Sequence, residues 1–525
     1  MGTEDCSVMS GFWVAFLRKI EALRYHISVA TFYVENFGCR ANQADGAALE
    51  HQFEQRGLAR ASTATQADFV VFNSCDVTAA ANQDARAAIR RMRRQNPEAK
   101  LIITGCYAQR ASEEIAALPG VSAVIGNSHK HQLADLVLAD VPAPEGVQPR
   151  LSASTAEPTS SGYSSTFVPV ATLTENQARR IENRIFVSDI FAHTELLAAP
   201  IFEGVGAANE RTRPNLKVQD GCDNRCSFCV IPFVRGQSRS LPPTEIFREV
   251  NALVATGYRE VVLSGINLGR WGRDLAVSRQ PSACSKTTEL RFEDLIRAIL
   301  EETCLQKLRI SSVEPMDWTD DFISLVARSP RIAKHAHVPL QSGSDAVLRR
   351  MHRKYRPWHY REKIEKIRAA MPTAAIGADV MVGFPGETAA EFEETRRMIE
   401  ELPLTYLHVF TYSARPGTPA ATLANQVPAH IARERNRILR DLAAEKKLAF
   451  MHSFIGKMVE AITLGTCGTG TGRPDLSQAK FTKALTDNYQ MLHLRGRYQP
   501  NEWLRAKVKY VENGTLVGIV NRTTL

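Results

Sequence analysis

Cys222, Cys226 and Cys229 stand at i, i+4 and i+7 in Lys217-Val-Gln-Asp-Gly-Cys222-Asp-Asn-Arg-Cys226-Ser-Phe-Cys229-Val-Ile-Pro232. Thiolates are the usual ligands of iron–sulfur clusters, commonly four to a four-iron centre. Three of them cap three irons and leave the fourth open, and an open iron can chelate a substrate. Phe228 and Ile231 flank the loop and limit water, which tunes a cluster's potential. Zinc is the alternative, but a structural zinc site asks for four closed ligands. No fourth Cys or His is near in sequence; Cys284 and His335 are far along the chain. Three buried core cysteines in chance proximity are the other alternative. Neither explains the framing by Gly221, Pro232 and Arg235-Gly236.

A second triad is spread out. Cys39 sits in Phe37-Gly-Cys-Arg-Ala-Asn-Gln43, Cys75 in Phe72-Asn-Ser-Cys-Asp-Val-Thr78 and Cys106 in Ile103-Thr-Gly-Cys-Tyr107. Each follows an expected strand by one to three residues. In a parallel sheet those ends share one edge, where ligands gather. One buried Cys at a strand end is unremarkable; three at equivalent points imply a second cluster with an open iron. The remaining four of the ten cysteines, Cys6, Cys284, Cys304 and Cys467, are scattered and read as structural or incidental.

The elements that must position these thiols emerge from periodicity. Strands are expected over 30–36, 68–74, 100–104 and 121–125, with amphipathic stretches such as 81–94 between them. That alternation implies a parallel sheet with helices on its faces. Pro, Ser, Thr, Ala and Gly crowd 141–163, so 141–210 reads as a linker or insertion, with a short element around 181–197. A second alternating block has expected strands over 216–219, 261–264, 308–312, 335–340, 376–382 and 406–412. Six β/α units suggest a partial barrel rather than a closed eight-fold one. A charged helix over 431–450 leads out. Short alternating strands over 458–463, 490–495, 503–511 and 516–520 suggest a small antiparallel β-barrel. The expected division is an extension over 1–29, an α/β domain over 30–140, the linker over 141–210, the barrel over 211–450 and the small barrel over 451–525.

Lys and Arg outnumber Asp and Glu by 65 to 56, a net +9, which suits an anionic partner such as nucleic acid. No apolar run is long enough to span a membrane. The apolar patch 12–17 comes after Glu4 and Asp5 and precedes Arg18 and Lys19, the reverse of a secretory leader. A cytoplasmic location and a monomer are expected.

Cys-x-x-x-Cys-x-x-Cys after a first barrel strand resembles the signature of the radical S-adenosylmethionine superfamily. The later strand ends of this chain are similar to that superfamily's binding site: Gly265 in Leu263-Ser264-Gly265, Ser312 and Glu314 in Ser311-Ser-Val-Glu-Pro315, Gln341 in Gln341-Ser-Gly-Ser344, and Asp379 with Gly383-Phe-Pro-Gly-Glu387. All lie at or near strand C-termini, where barrel active sites form. Two three-thiol motifs and a small β-barrel after them resemble the methylthiotransferases, which replace C–H with C–S–CH₃. The resemblance runs from residue 31 to 522 apart from the linker. It implies two [4Fe–4S] clusters held by Cys39, Cys75 and Cys106 and by Cys222, Cys226 and Cys229. It implies S-adenosylmethionine bound by Gly265, Ser312, Glu314, Gln341 and Asp379, and reductive cleavage to a 5′-deoxyadenosyl radical that removes hydrogen from C2 of a modified adenine. Sulfur then comes from the 39/75/106 cluster or its open iron, and methyl from a second S-adenosylmethionine. The last barrel is similar to the family's RNA-binding TRAM domain, with Thr486-Asp-Asn-Tyr489 resembling its loop.

Among the family's branches, Gly38-Cys-Arg-Ala-Asn-Gln43, Asn73-Ser-Cys-Asp-Val-Thr78 and Arg235-Gly-Gln-Ser-Arg-Ser240 are closest to the one acting on threonylcarbamoyladenosine of tRNA, at position 37 beside the anticodon. Ser74 departs from that branch's more usual Thr. The isopentenyladenosine branch looks more like Cys-Gln-Met-Asn and Tyr-Thr-Arg-Gly, and a third branch modifies a ribosomal-protein aspartate. A zinc-stabilised RNA-binding protein is the non-enzyme alternative. Threonylcarbamoyl carries a carboxylate, so Arg235 or Arg239 is expected to pair with it; phosphate or solvent are the other partners of such arginines. The family implies tRNA and a low-potential donor such as flavodoxin or ferredoxin as partners. Basic clusters lie over 86–94, read as a solvated helix face, and over 349–356, where Tyr355, Trp358 and Tyr360 interleave as stacking candidates. Lys480, Lys483, Arg495, Arg497, Arg505 and Lys507 load the terminal barrel for RNA.

Overall fold

The computed structural model describes residues 29–139, 184–193, 196, 212–275, 290–465 and 481–520. Cys6, Cys284, Cys467 and Lys480 lie outside them. No helix among the described residues is long and apolar enough to cross a membrane.

The first part is a parallel sheet of β1 (Thr31–Asn36), β2 (Ala59–Arg60), β3 (Phe69–Ser74), β4 (Lys100–Gly105), β5 (Val121–Ile125) and β6 (Arg184–Phe186), in the order β2-β1-β3-β4-β5-β6. Central β3 is buried at every residue. Val70 and Phe72 pack with Leu101 and Ile103 on one face. Phe69 and Val71 pack with Phe32 and Ile102 on the other. A continuous apolar run suits a strand covered on both sides. Register sets Asn36 opposite Asn73 and Ser74 opposite Gly105, so the carboxyl ends of β1, β3 and β4 share one edge. β6, inside the expected linker, pairs with β5.

The second part runs through β7 (Asn215–Lys217), a short pair β8 (Gln219–Asp220) and β9 (Arg239–Ser240), then β10 (Glu260–Ser264), β11 (Lys307–Ile310), β12 (His335–His337), β13 (Ala375–Val382) and β14 (Tyr406–Thr411). Two parallel sheets, β11-β10-β7 and β12-β13-β14, meet through a bridge from Leu308 to Ile332 and Val313 N–H donating to His337 O at 3.0 Å. Six parallel strands thus succeed one another as an incomplete barrel. Ile246, Val250 and Leu253, like Phe292, Leu295, Ile296 and Ile299, are buried in its outer core at helical spacing.

The helix Ala429–His452 leads to a closed barrel of β15 (Met458–Thr463), β16 (Phe481–Thr486), β17 (Met491–Arg495), β18 (Trp503–Glu512) and β19 (Thr515–Val520). Four pairings are antiparallel, and β17 with β19 is parallel. Arg309 of β11 ties this barrel down by donating to the carbonyls of Asp487 (3.0 Å) and Thr486 (3.4 Å). Asn488 and Asn501 donate to Thr373 O and Gly257 O, at 2.9 and 2.8 Å.

Candidate active site

The barrel cysteines stand on a loop that only tight backbone geometry allows. Gly221 has φ +71°, and a Cβ there would lie 1.8 Å from Gln237 O. Cys222 N–H donates to Gly236 O at 3.0 Å, closing the loop over the short helix Ile231–Arg235. Asn267 Nδ2 reaches Cys222 Sγ at 3.6 Å and Arg353 Nη1 reaches Cys226 Sγ at 3.3 Å. Burial pushes the Cys222 thiol up to about 11 and the Cys229 thiol up to about 12. Such thiols keep their protons at neutral pH until a metal displaces them. Three converging sulfurs with N–H donors aimed at two of them fit a cluster.

These cysteines line a cavity of about 580 Å³, and so do Gly265, Ser312, Glu314, Gln341 and Asp379, the residues expected at the strand ends. That volume suits a ligand of cofactor size. Ser312 Oγ pairs with His337 Nδ1 at 2.6 Å, and His337 Nε2 lies 3.4 Å from Asp379 Oδ1. Glu314 is raised by burial against the pull of Arg353, which grips its carboxylate. Gln341 has φ +64° and a buried Oε1 with no partner among the described residues. A strained residue with an unsatisfied acceptor in a cleft suits ligand recognition. Glu387 plays another part: it accepts from Gly383 N–H at 2.7 Å and from Arg435 at 2.5 Å, bracing its loop.

The second triad gathers as the strand ends predict. Gly38 (φ +90°) brings the chain so close that a Cβ would lie 2.5 Å from Cys75 Sγ. Burial, then the neighbouring Cys106 and Cys39, push the Cys75 thiol up to about 12. Burial also raises Cys106, whose sulfur accepts from Asn127 Nδ2 at 3.6 Å. Cys39 is exposed and lines the same cavity as Cys222, Cys226 and Cys229. One thiol of the sheet triad therefore faces all three of the barrel triad. Cys304 is exposed and does not line this cavity.

Arg235 is a correction. Expected at the substrate, it is 2% exposed, does not line the cavity, and binds Asp220 and Asp45 at 2.9 Å. Lys217 and Lys130 share Asp45, and Asn42 accepts from Arg235. Burial alone would raise Asp45, but Lys130, Lys217 and Arg235 hold it well below the usual carboxylate range. The network joins the helix Arg40–Gln55 of the sheet part to β7, β8 and the cysteine loop. Arg239 is also off the cavity; its Nη1 donates to the His193 and Gln237 carbonyls at 3.3 and 3.5 Å.

The 349–356 cluster is a second correction. Tyr355 and Tyr360 are fully buried, donating to Leu340 O at 2.7 Å and Val338 O at 2.9 Å. Neither can stack on a base; only Trp358 is exposed. Arg353 turns inward to Cys226, and Arg350 pairs with Glu391 at 2.8 Å. Sequence reasoning also passed over Arg40, Asn267, His335, His337, Tyr406, His408 and Tyr489, all on the cavity. For Arg40 and Tyr489 the signal was there, since each sits inside a motif singled out for other reasons.

Comparison with known proteins agrees with this arrangement. Residues 31–126 match the uncharacterized protein family UPF0004 and residues 216–399 match the radical SAM superfamily. The chain is 32% identical over 470 residues to threonylcarbamoyladenosine tRNA methylthiotransferase MtaB of Bacillus subtilis, covering 89% of this chain and 91% of that one. It is 33% identical to its Aquifex aeolicus namesake, covering 82% and 92%. It is also 33% identical to tRNA-2-methylthio-N(6)-dimethylallyladenosine synthase of Novosphingobium aromaticivorans, covering 83% and 87%.

Proposed function

Since the chain belongs to the radical S-adenosylmethionine methylthiotransferase family, an enzyme family built on a [4Fe–4S] cluster and S-adenosylmethionine, we propose that it methylthiolates C2 of N6-threonylcarbamoyladenosine at position 37 of tRNA. In this reading it uses two [4Fe–4S] clusters and two S-adenosylmethionines. The observation that carries it is the shared cavity, on which Cys39 of the sheet triad meets Cys222, Cys226 and Cys229. A reaction that opens a C–H bond and fills it with sulfur needs both centres to face one atom.

When bound, these groups supply one-electron chemistry, sulfur and methyl. The chain's own part is to hold and enclose. Cys222, Cys226 and Cys229 would hold the first cluster, and Cys39, Cys75 and Cys106 the second. Gly265, Ser312, Glu314, Gln341 and Asp379 would bind S-adenosylmethionine. His335, Tyr406 and Tyr489 form an aromatic wall, with ring centres 4.8 Å (His335–Tyr489) and 5.9 Å (His335–Tyr406) apart. That wall suits a flat base and keeps water out. A low-potential flavodoxin or ferredoxin would supply electrons.

Identity alone does not choose the nucleoside, because relatives named for threonylcarbamoyladenosine and for dimethylallyladenosine both reach 33%. The motifs around Cys39, Cys75 and Arg235 favour the former. The test is mass spectrometry of nucleosides from tRNA of cells with and without the gene. Loss of 2-methylthio-threonylcarbamoyladenosine alone is expected. Loss of the methylthio-isopentenyl nucleoside instead, or no change, overturns the assignment.

A further inference from the structure

Among the described residues, one positive charge on the cavity wall has no anionic partner. Arg40 opens the helix Arg40–Gln55 directly after Cys39 and lines the cavity. Its Nη2 donates to Tyr489 Oη at 3.0 Å and its Nη1 reaches Ser311 Oγ at 3.4 Å. Both acceptors are neutral. A guanidinium has five N–H donors in a planar fork that matches a carboxylate. Among the described residues, no carboxylate forms an ion pair with Arg40. The other arginine on the cavity, Arg353, is already committed to Glu314 and the Cys226 sulfur. Arg235 and Arg239, the arginines expected from sequence, face elsewhere.

Tyr489 holds Arg40 through its hydroxyl. It comes from the terminal barrel and sits at φ +66°, a backbone state unfavourable for a bulky residue. Its loop is locked: Gln490 N–H donates to Thr486 Oγ1 at 2.8 Å, Asn488 Nδ2 to Thr373 O at 2.9 Å, and Arg309 to the Thr486 and Asp487 carbonyls. Two cations stand over the ring, with guanidinium carbons 5.4 Å (Arg309) and 5.9 Å (Arg40) from its centre. A strained tyrosine held this firmly in a ligand cavity points to a positioning task.

We propose that Arg40, steadied by Tyr489, binds the carboxylate of the substrate's threonylcarbamoyl group and so selects an anionic nucleoside over one with an apolar substituent. The proposal rests on the threonylcarbamoyladenosine substrate reading. S-adenosylmethionine carries the other carboxylate that enters this cavity, and the test separates the two.

The full chain with reconstituted clusters is titrated with three anticodon stem–loops. They are identical except at position 37, which bears threonylcarbamoyladenosine, its neutral carboxamide analogue, or isopentenyladenosine. Equilibrium binding is measured by fluorescence anisotropy, S-adenosylmethionine binding by equilibrium dialysis, and iron per chain is recorded. For the unaltered chain, the carboxylate stem–loop is expected to bind about 10- to 100-fold tighter than the carboxamide, the range of a charge-assisted hydrogen bond. Arg40→Gln is expected to bring that ratio near one, Arg40→Lys to restore part of it, and Tyr489→Phe to reduce it. If the unaltered chain prefers the carboxylate and Arg40→Gln keeps the preference in full, this proposal falls while the substrate reading stands. If Arg40→Gln weakens only S-adenosylmethionine binding, Arg40 serves that carboxylate and the proposal falls. If the unaltered chain prefers isopentenyladenosine, the substrate reading itself fails. Should Arg40→Gln not fold, an unchanged ratio in Tyr489→Phe overturns the proposal.

Discussion

Arg235 shows how one side chain ties cysteine geometry to domain contact. It lies six residues past Cys229, yet its charge is met by Asp220, just before Cys222, and by Asp45, 190 residues away. Burial works against its charge, but Asp220 and Asp45 outweigh that and hold the guanidinium firmly charged. Removing one member of a buried ionic network strands the others, at about 3–5 kcal/mol. Arg235→Met is therefore expected to lower unfolding stability by about that amount, measured by denaturant titration of the metal-free chain. Arg235→Lys should recover part of it. A change within about 0.5 kcal/mol for the Met variant would show that the network carries little. Sequence reasoning misplaced Arg235 because its partner Asp45 belongs to another part of the chain. Local spacing shows a basic residue beside a cysteine loop, and nothing in it reveals a buried acid arriving from a distant helix. Tyr355 and Tyr360 misled for the same reason: they sit in a charged stretch, and the carbonyls that bury their hydroxyls belong to residues 338–340.

At the scale of elements, the thiols that matter come after strands, and strands with apolar runs are legible. Val121–Ile125 and Met458–Thr463 stand as expected, and the other long strands shift by a few residues at their ends. What escaped was short or weakly patterned. Ala59–Arg60 adds an edge to a sheet already formed, and so does Arg184–Phe186, where the sequence showed a short element around 181–197 without its type or partner. Phe481–Thr486 alternates with Lys483 and Thr482, too polar a pattern to stand out, yet it closes the terminal barrel between β15 and β17. The turn that delivers Cys106 shows what an element end demands. Gly105 has φ +98°, and a Cβ there would meet Ser74 O at 2.2 Å. Gly57 has φ +82° with nothing within 4 Å. At positive φ, Gly57 incurs a penalty of about 1–2 kcal/mol on gaining a Cβ; Gly105, at ψ −166°, lies in a region that essentially only glycine adopts and adds a backbone clash on the β3–β4 ladder. Gly105→Ala is expected to destabilise by several kcal/mol and to speed hydrogen exchange across 69–75 and 100–106. Gly57→Ala should cost about 1 kcal/mol and leave those amides protected. Equal exchange in the two variants would show that the turn, not the clash, is limiting.

At the scale of the molecule, three parts converge on one cavity: Cys39 and Arg40 from the sheet, Cys222, Cys226 and Cys229 from the partial barrel, and Tyr489 from the terminal barrel. Because Arg309, Asn488 and Asn501 fix the last barrel in place, its outer face is fixed relative to the cavity. On that face Lys483 opposes His493 and Phe481 opposes Arg495, with Ala484 and Leu494 turned inward. Exposed cations among aromatic rings suit an RNA backbone passing toward the site. The two tasks, gripping the backbone and choosing the nucleoside, then fall on different parts and separate by salt. Each phosphate-contacting cation contributes about 0.7–0.9 to the slope of log affinity against log salt. The double variant Lys483→Gln, Arg495→Gln is expected to weaken tRNA binding about equally for modified and unmodified position 37, and to reduce that slope by about 1.4–1.8. Arg40→Gln is expected to do the reverse, changing the ratio between stem–loops while the slope moves by less than one charge's share. Filter binding from low to moderate salt reads both. A double variant that keeps the full slope would mean that the tRNA backbone runs elsewhere, and the terminal barrel would then serve the site through Tyr489 alone.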